Sequence, residues 1–306
     1  MPRVIHTAQA LVDAVMEVPW LPSRGGNVMA SSYHRYAGGA VTILLAAARS
    51  GARCVHAGSV GTGWNGDLVR AALEAEGVEV SSPRVPDLDT GVCVVLVEPT
   101  AERSFVTTQG AERHISLESL SACAPVAGDL VCVSGYSLVG RTRDPLVAWL
   151  ATLAEGVVVV LDPGAAFAAL DVATRDAVLR RTDVWTGNAE EAAAVSGVTG
   201  MEETAQVIAT MLPPDAVTIV RDGPRGCLVR EGSAAVHLPG FPQRPLDTNG
   251  AGDTHTGVLL AERAAGASWT DAASRANAAG AIKVTRRGPD TAPTRAEIDA
   301  FLASRR

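Results

Sequence analysis

The most informative stretch of the chain reads Asp247-Thr248-Asn249-Gly250-Ala251-Gly252-Asp253-Thr254. Its small residues Gly250, Ala251 and Gly252 leave backbone N–H groups uncovered, and the apolar run 256–261 that follows is typical of a helix. These amides and the positive end of the helix dipole would bind an anion together. A bound phosphate would repel Asp253, so this carboxylate fits best as a base for a hydroxyl that attacks phosphorus. An ordinary N-terminal cap made by Asp253 or Thr254 is the structural alternative.

Further motifs follow one another along the chain: Asp13, the pair Gly38-Gly39, Gly58-Ser59-Val60-Gly61 followed by Gly66-Asp67, Asn188-Ala189-Glu190-Glu191, and Gly223-Pro224-Arg225-Gly226. Together with the 247–254 stretch, this set resembles the ribokinase-like family, also called the PfkB-type carbohydrate kinases, over nearly the whole chain. The resemblance implies a kinase that phosphorylates a hydroxyl of a sugar or nucleoside with ATP and Mg²⁺. It also implies that Asp253 is the base.

The composition is typical of one large α/β domain. The chain has 306 residues, of which 47% are hydrophobic and 19% charged, so it can bury a large core. One domain over residues 1–306 with a small appendage fits this length better than two equal domains. The formal net charge of -7 argues against a nucleic-acid polymer or an anionic membrane surface as a partner, because both need a basic face. Small phosphates stay allowed, because helix ends, a few cations and a metal suffice to bind them.

The cysteines and the N-terminus indicate a cytoplasmic protein. None of the five cysteines shows Cys-x-x-Cys spacing, and most lie in apolar runs, which predicts buried free thiols. The N-terminus lacks a charged-then-apolar leader with a cleavage site. No run approaches the roughly 20 apolar residues that a membrane helix needs.

Short β-branched runs alternate with longer helical patterns, which predicts a mainly parallel sheet with helices on its faces. The predicted strands are Cys54–Ser59, Leu130–Ser134, Val157–Leu161, Val184–Thr186, Val217–Val220 and Cys227–Arg230. The predicted helices are Ala40–Arg49, Asp67–Glu76, Pro145–Ala154, Ala173–Arg180, Met201–Met211, Thr254–Ala265, Trp269–Val284 and Thr294–Ser304. The resemblance implies a ribokinase-like three-layer α/β/α fold.

Two segments break this alternation, residues 4–36 and 91–108. In the second segment, Val92–Val97 and Ser104–Thr108 read as a hairpin with Glu102-Arg103 in the turn. The resemblance implies that parts of about 10–36 and 91–108 form a small β-sheet lid over the sugar, and that two chains join through their lids. A pair of edge strands extending the main sheet is the alternative.

Polar residues directly follow several predicted strands, where ligands collect in such a sheet. They are Ser134, Asp162, Asn188, Arg221 and Asp222. Glu191 is three residues after Asn188, so the two side chains would face one region, although a capping box uses the same spacing. The resemblance implies that this pair orients Mg²⁺ through its waters.

The resemblance places the nucleotide and a monovalent cation at further positions. The turn that contains Asp222, Gly223 and Gly226 would border the ATP phosphates or ribose, and Asn277 would lie on the helix surface that receives adenine. A tight turn and helix packing are the respective alternatives. Asp247 matches a position that in the family helps to hold a monovalent cation such as K⁺, and carbonyl groups of the loop 286–289 would complete its shell.

On the substrate side, Asp13 would accept hydrogen bonds from sugar hydroxyls, and the glycines at 38 and 39 would let the sugar approach a helix N-terminus. The chain departs from the family pattern at three places. Thr42 stands where many members carry a sugar-binding asparagine, Gly63 stands where an acid is usual, and residues 109–112 replace a common Gly-Ala-Asn. The predicted substrate residues are Asp13, Gly38, Gly39, Thr42 and the lid residues Asn27, Arg103 and Gln109. Arg103 suits a substrate that already carries a phosphate.

The sequence therefore predicts transfer of the γ-phosphoryl group of ATP to a hydroxyl of a sugar or sugar-like molecule, as in ribokinases, fructokinases and ketodeoxygluconate kinases. A nucleoside kinase and a catalytically silent nucleotide- or sugar-binding regulator on the same fold are the alternatives. A dinucleotide-dependent oxidoreductase would share the α/β alternation, but the chain lacks a Gly-x-Gly-x-x-Gly turn after its first strand.

Overall fold

The computed structural model describes residues 2–100 and 102–305. Its strands are β1 (Arg3–His6), β2 (Ala10–Glu17), β3 (Ser32–Gly39), β4 (Arg53–His56), β5 (Glu79–Val80), β6 (Val92–Val97), β7 (Arg103–Thr107), β8 (Leu130–Ser134), β9 (Val158–Asp162), β10 (Val184–Asn188), β11 (Val217–Arg221), β12 (Cys227–Glu231) and β13 (Ala234–Leu238). Its α-helices are α1 (Ala40–Arg49), α2 (Trp64–Ala75), α3 (Leu117–Ser121), α4 (Arg143–Leu150), α5 (Val172–Leu179), α6 (Ala189–Ser196), α7 (Met201–Met211), α8 (Ala251–Ala264), α9 (Trp269–Lys283) and α10 (Arg295–Ala303).

The main sheet has the strand order β13-β12-β11-β10-β9-β8-β1-β4-β5 within the described residues. Strands from β11 to β5 in this order run parallel, and β12 and β13 are antiparallel additions at one edge. Strand β11 is buried along its whole length, as expected for a parallel strand that helices cover on both faces. The predicted mainly parallel α/β sheet is confirmed.

Helices pack on both faces of this sheet and divide its core in two. Alternate residues of a strand serve opposite faces, so Cys132 of β8 belongs to one cluster and its neighbours Val131 and Val133 to the other. The first cluster includes buried residues of α1, α2, α8, α9 and α10, and the second includes residues of α3 to α7. This is the predicted α/β/α arrangement. All five cysteines are free and buried, as predicted.

A smaller sheet with the order β3-β2-β6-β7 is separate from the main sheet. Strands β2 and β3 are antiparallel, β2 and β6 are parallel, and β6 and β7 form the predicted hairpin. The prediction of a separate small sheet is confirmed, and the alternative of two edge strands on the main sheet is wrong. Arg103 begins β7 instead of lying in the preceding turn. That two chains join through this sheet stays a prediction.

The N-terminus differs from the prediction. Residues from about 4 onward were expected to break the α/β pattern, but β1 lies between β8 and β4 in the middle of the main sheet. Helix α8 begins at Ala251, three residues before the predicted start. The chain therefore enters the main sheet first and then forms β2 and β3 of the smaller sheet. None of the helices within residues 2–100 and 102–305 is both long and apolar enough to cross a membrane.

Helices α1 and α8 approach each other closely at Gly257. A Cβ atom built at this glycine would overlap the carbonyl oxygen of Ile43 and lie 2.7 Å from Cβ of Ala46. We expect Gly257→Ala to lower the free energy of unfolding by about 1–3 kcal/mol, because the backbone of α1 cannot move aside cheaply. Gly280→Ala in α9 is the matched control. Its new Cβ would meet its nearest neighbour, the carbonyl oxygen of Ala251, at 3.7 Å.

Chemical denaturation of both variants measures the difference. The control should gain up to about 1 kcal/mol, since alanine forms helices better than glycine. Equal stability of the two variants would contradict the close approach of α1 and α8. The contact matters for the site because α1 packs against the first two turns of α8.

Candidate active site

The carboxyl ends of four parallel strands meet the beginning of α8. The last residues of these strands are Ser134 in β8, Asp162 in β9, Asn188 in β10 and Arg221 in β11. The strand register pairs Ser134 with Asp162 and Asn188 with Arg221, so the two side chains of each pair leave the sheet at the same level. The sequence predicted that ligand-binding residues collect at this edge.

Among the described residues, the backbone N–H groups of Gly252 and Asp253 in the first turn of α8 have no hydrogen-bond partner, whereas that of Ala251 donates to the carbonyl oxygen of Thr248 at 3.3 Å. Gly250 precedes the helix in the left-handed conformation, with φ of 75°, which glycine adopts without a steric penalty. No side chain of the described residues caps this helix start. Gly252 is exposed, so the turn is open to a ligand. The structural alternative of a side-chain cap does not apply, and the amides and the dipole together favour a bound anion.

Asp253 is the third residue of α8, and its carboxylate is half-buried. The pKa of this carboxyl is raised to about 7, mainly by burial and next by the negative charge of Asp162. The Arg221 guanidinium opposes the increase, and smaller contributions from Asp13 and Glu191 add to it. A carboxyl with this pKa holds and releases a proton near neutral pH, which suits a general base.

Arg221 is a site residue to which the sequence gave no role. Its Nη1 donates to the carbonyl oxygen of Gly252 at 2.8 Å and to Oγ1 of Thr256 at 3.3 Å, so it holds the first turn of α8. Its Nη2 lies 3.5 Å from Asp162 and 3.9 Å from Glu191, and its side chain is only 10% exposed. One buried guanidinium thus faces a group of carboxylates. The sequence signal for it was its position at the end of β11.

Asn188 and Glu191 form a capping box at the start of α6. The backbone N–H of Asn188 donates to Glu191 Oε2 at 2.8 Å, and the N–H of Glu191 donates to Asn188 Oδ1 at 2.8 Å. The structural alternative is therefore present, and it leaves the carboxylate facing Arg221 and Asp162. Burial and the charge of Asp162 raise the pKa of Glu191. Carboxylates that repel one another at an anion site fit a divalent cation, since oxygen ligands and waters are what Mg²⁺ binds. Whether the pair orients Mg²⁺ stays a prediction.

The turn between β11 and β12 lies next to this group. The Asp222 carboxylate pairs with Arg225 at 2.5 Å. Gly226 has φ of 92°, and a Cβ there would overlap the backbone at Leu238. Asn277 of α9 reaches the same region, because its Nδ2 donates to the carbonyl oxygen of Leu238 at 3.2 Å. The structure therefore brings the predicted nucleotide residues Asp222, Gly223, Gly226 and Asn277 to one side of the site. Their contacts with ATP stay predictions.

Asp13 approaches the site from β2 of the smaller sheet. A Cβ on Gly38 would overlap the Asp13 carboxylate, so a larger residue at this position of β3 would displace that side chain. Gly39 needs its glycine, since its φ is 63° and a Cβ would overlap the carbonyl oxygen of Gln9. Burial raises the pKa of Asp13 to about 6. The Asp13 charge also contributes to the raised pKa of Asp253, which places the two carboxylates in one electrostatic environment.

The departures from the family pattern have structural correlates. Thr42 is buried in α1, and its Cγ2 would lie 3.1 Å from a Cβ on Gly250, so it packs under the start of α8. A Cβ on Gly63 would meet the Asp89 carboxylate at 2.7 Å. Asp89 accepts hydrogen bonds from the N–H groups of the first turn of α2, so an acid from another segment occupies this space. Within residues 109–112, Glu112 is buried and accepts from two backbone N–H groups.

The lid residues differ in position. Nη2 of Arg103 donates to Oγ1 of Thr248 at 3.1 Å, which joins β7 to the segment that leads into α8. Asn27 is exposed in the β2–β3 connection and contacts Sδ of Met29 at 3.9 Å. Gln109 is exposed after β7. In the described part of the chain, neither Asn27 nor Gln109 hydrogen-bonds to another predicted site residue.

Asp247 and the loop 286–289 come together as predicted. Oδ1 of Asp247 accepts a hydrogen bond from the N–H of Asn249 at 2.8 Å, and Oδ2 accepts one from the N–H of Gly288 at 3.0 Å. This carboxylate therefore fixes the segment before α8 to the loop after α9.

Comparison with known proteins agrees with this geometry. A family model described as pfkB family carbohydrate kinase matches residues 1–295. The chain belongs to this family. The pfkB assignment confirms the resemblance found in the sequence and makes the protein a carbohydrate kinase, a phosphotransferase that acts on an alcohol group. The oxidoreductase alternative is therefore wrong.

Several sugar kinases are similar to this chain over nine-tenths or more of their length. An uncharacterized sugar kinase, YegV of Escherichia coli (strain K12), is 29% identical over 298 residues, which cover 96% of this chain and 92% of YegV. An ATP-dependent ribose-1-phosphate kinase of Halopiger xanaduensis is 29% identical over 310 residues, covering 100% and 99% of the two chains. A fructokinase double mutant from Vibrio cholerae O395, solved with fructose, ADP and potassium ion, is 26% identical with a TM-score of 0.82 and covers 99% of this chain and 98% of its own.

Proposed function

We propose that this pfkB-family kinase transfers the γ-phosphoryl group of ATP to a hydroxyl of a small sugar or sugar-like molecule, with Asp253 as the general base. One observation carries the proposal. Asp13 approaches the site from β2 of the smaller sheet and Asp253 from the first turn of α8, both as half-buried carboxylates, and neither accepts a hydrogen bond from the described residues. Unpaired acceptors of this kind suit the hydroxyl groups of a polyol.

The chain's own groups account for the transfer. The sugar oxygen forms a bond to the γ-phosphorus, the bond between that phosphorus and the bridging oxygen of ADP breaks, and the hydroxyl proton passes to Asp253. The unpaired amides at the start of α8 stabilise negative charge on the group in flight. Asn188 and Glu191 would orient the waters of Mg²⁺, which when bound supplies positive charge to the phosphates. Arg221 holds the helix turn that carries both the amides and the base.

Several observations support ATP as the donor. The turn of Asp222, Gly223 and Gly226 and the side chain of Asn277 lie on the β11 side of the anion site, away from Asp13 of the smaller sheet. An elongated donor would then approach from the main sheet and the acceptor from the smaller sheet. The Halopiger relative is named ATP-dependent, and it matches this chain from end to end.

Two classes of acceptor fit the substrate side. The half-buried Asp13 carboxylate, with the exposed Gly39 on the paired strand β3, suits the hydroxyl groups of a free sugar. Arg103 lies at Thr248, close to the start of α8, where it would pair with a phosphate on the acceptor. The name of the Halopiger relative, a ribose-1-phosphate kinase, favours a sugar phosphate. The fructokinase relative favours a free sugar.

An ADP-release screen over pentoses, hexoses, sugar acids, sugar phosphates and nucleosides tests the proposal. We expect turnover with one acceptor class, and Asp13→Asn should raise KM for that acceptor by about 10- to 100-fold, the usual cost of losing hydrogen bonds to a charged group. KM for ATP should stay the same, because Asp13 belongs to the acceptor side. ATP binding without ADP release for every acceptor class would instead favour a silent regulator.

A further inference from the structure

Lys283, the last residue of α9, is a lysine with no exposed surface. Its Nζ donates to the backbone carbonyl oxygen of Asp247 at 3.1 Å and to that of Arg286 at 3.4 Å. The carboxylate oxygen Oδ2 of Asp247 lies 3.8 Å away. An ammonium group has three N–H donors, and three oxygen atoms surround it here.

These oxygen atoms are the ones expected around a monovalent cation. The family resemblance assigns that ion to Asp247 and to carbonyl groups of the loop 286–289. In this structure, oxygen atoms of Asp247 and the carbonyl oxygen of Arg286 surround Lys283 instead. The residues present therefore do not fit an additional K⁺, because a second positive charge would have to share the same oxygens with a buried ammonium. This difference from the family pattern comes from the Lys283 side chain alone, because the oxygen atoms expected around the cation are present.

Lysine at this position is not an ordinary surface cation. Burial lowers the pKa of Lys283, and the charge of Asp247 acts against this. A fully buried amine is costly unless its charge is paired and its donors are satisfied. A side chain that tolerates this cost has a specific electrostatic partner, and here the partner is the segment that leads into the anion site.

The contacts around Lys283 fix that segment. The backbone N–H groups of Leu246 and Asp247 both donate to the carbonyl oxygen of Val284, at 2.7 and 3.2 Å. Asp247 in turn binds the N–H groups of Asn249 and Gly288. The end of α9, the loop after it and the residues just before Gly250 thus form one unit with Lys283 at its centre.

We propose that the ammonium group of Lys283 takes the place of the monovalent cation, so that this kinase organises its anion site without K⁺. The inference rests on the proposed function only for its activity readout. A thermal unfolding readout does not depend on catalysis, so a failure of the proposed function and a failure of this inference are distinguishable.

The test compares wild type, Lys283→Ala and Lys283→Met in tetramethylammonium buffer, with and without added K⁺ at constant ionic strength. Wild-type turnover should change by less than about twofold with K⁺, whereas Lys283→Ala should lose at least about tenfold without K⁺ and recover on saturation with it. Lys283→Met should be low in both buffers, because the methionine side chain fills the space without supplying charge.

Thermal unfolding gives the second readout. K⁺ should raise Tm of Lys283→Ala over tetramethylammonium, since an ion that binds only the folded state stabilises it, and should leave Tm of wild type and Lys283→Met unchanged. A K⁺-specific rise in Tm or in turnover of wild type would overturn the inference. So would a Lys283→Ala protein that K⁺ neither stabilises nor activates, because Lys283 would then be a structural ion-pair partner only.

Discussion

Asp253→Asn is expected to lower kcat by about 10²- to 10⁴-fold with the best acceptor, the range that a positioned general base contributes. Asparagine has nearly the shape of aspartate, but its amide cannot take the proton of the attacking hydroxyl. Single-turnover formation of ADP measures the step directly. Near-normal turnover of this variant would show that another group is the base.

If Asp253 is the general base, the activity of the wild-type enzyme depends on pH. A base must be deprotonated to act, and the pKa of Asp253 is about 7, so kcat/KM should fall about tenfold per pH unit below that value. The residual activity of Asp253→Asn should lack this decrease. A wild-type profile that is flat down to pH 5 would contradict the raised pKa of the base.

Stability separates loss of the base from loss of the fold. The pKa of Asp253 is higher in the folded state than its ordinary value, so the unfolded chain releases this proton at lower pH than the native protein does. The native state therefore loses stability as pH rises from about 4 through 7, and the cost is complete above 7. Asp253→Asn removes the cost and should be more stable than wild type at pH 8, by roughly 1–3 kcal/mol, but not at pH 4. A variant that is inactive yet more stable at pH 8 has lost chemistry and kept its structure.

Local patterns carried most of the fold prediction. Helix α7 occupies the predicted residues Met201–Met211, and β8 occupies Leu130–Ser134, because each has the periodicity or apolar run of its own element. Strand β1 was missed because four residues are too few to show a period, and its position in the middle of the sheet depends on pairing with β8 and β4. Strand β13 was missed because it is mostly exposed and lacks apolar alternation.

The part of the site that lies in one continuous segment could be predicted from the sequence. The glycines and the carboxylate at the start of α8 are adjacent in sequence, so their relation follows from the helix itself. Arg221 and Lys283 act on partners 31 and 36 residues away, Gly252 and Asp247. No local pattern indicates that these two cations are buried, because their burial depends on how α8 and α9 pack against β11 and the loop after α9.

Arg221→Met is expected to lower kcat/KM by about 10²- to 10³-fold at pH 7, the usual cost of removing a preorganised charge from such a site. The variant loses the hydrogen bond from Nη1 to the carbonyl oxygen of Gly252, so the first turn of α8 is held less firmly. It also removes the positive charge that lowers the pKa of Asp253, so the acidic limb of the pH profile should move to higher pH. A complete pH profile of kcat/KM measures both effects.

Two further variants make this result specific. Arg221→Lys keeps the positive charge, so the acidic limb of its pH profile should stay near that of wild type. Its kcat should fall, because lysine has a single nitrogen in place of the guanidinium fork. Arg181→Met removes an arginine that pairs with Asp183 just before β10, at the opposite end of the strand, and should leave the profile unchanged. An acidic limb of Arg221→Met that does not move, or that moves to lower pH, would show that Arg221 does not act on the base. Activity that returns at pH 9 would assign the loss to the pKa of Asp253, because a disordered helix turn would lower kcat/KM at every pH.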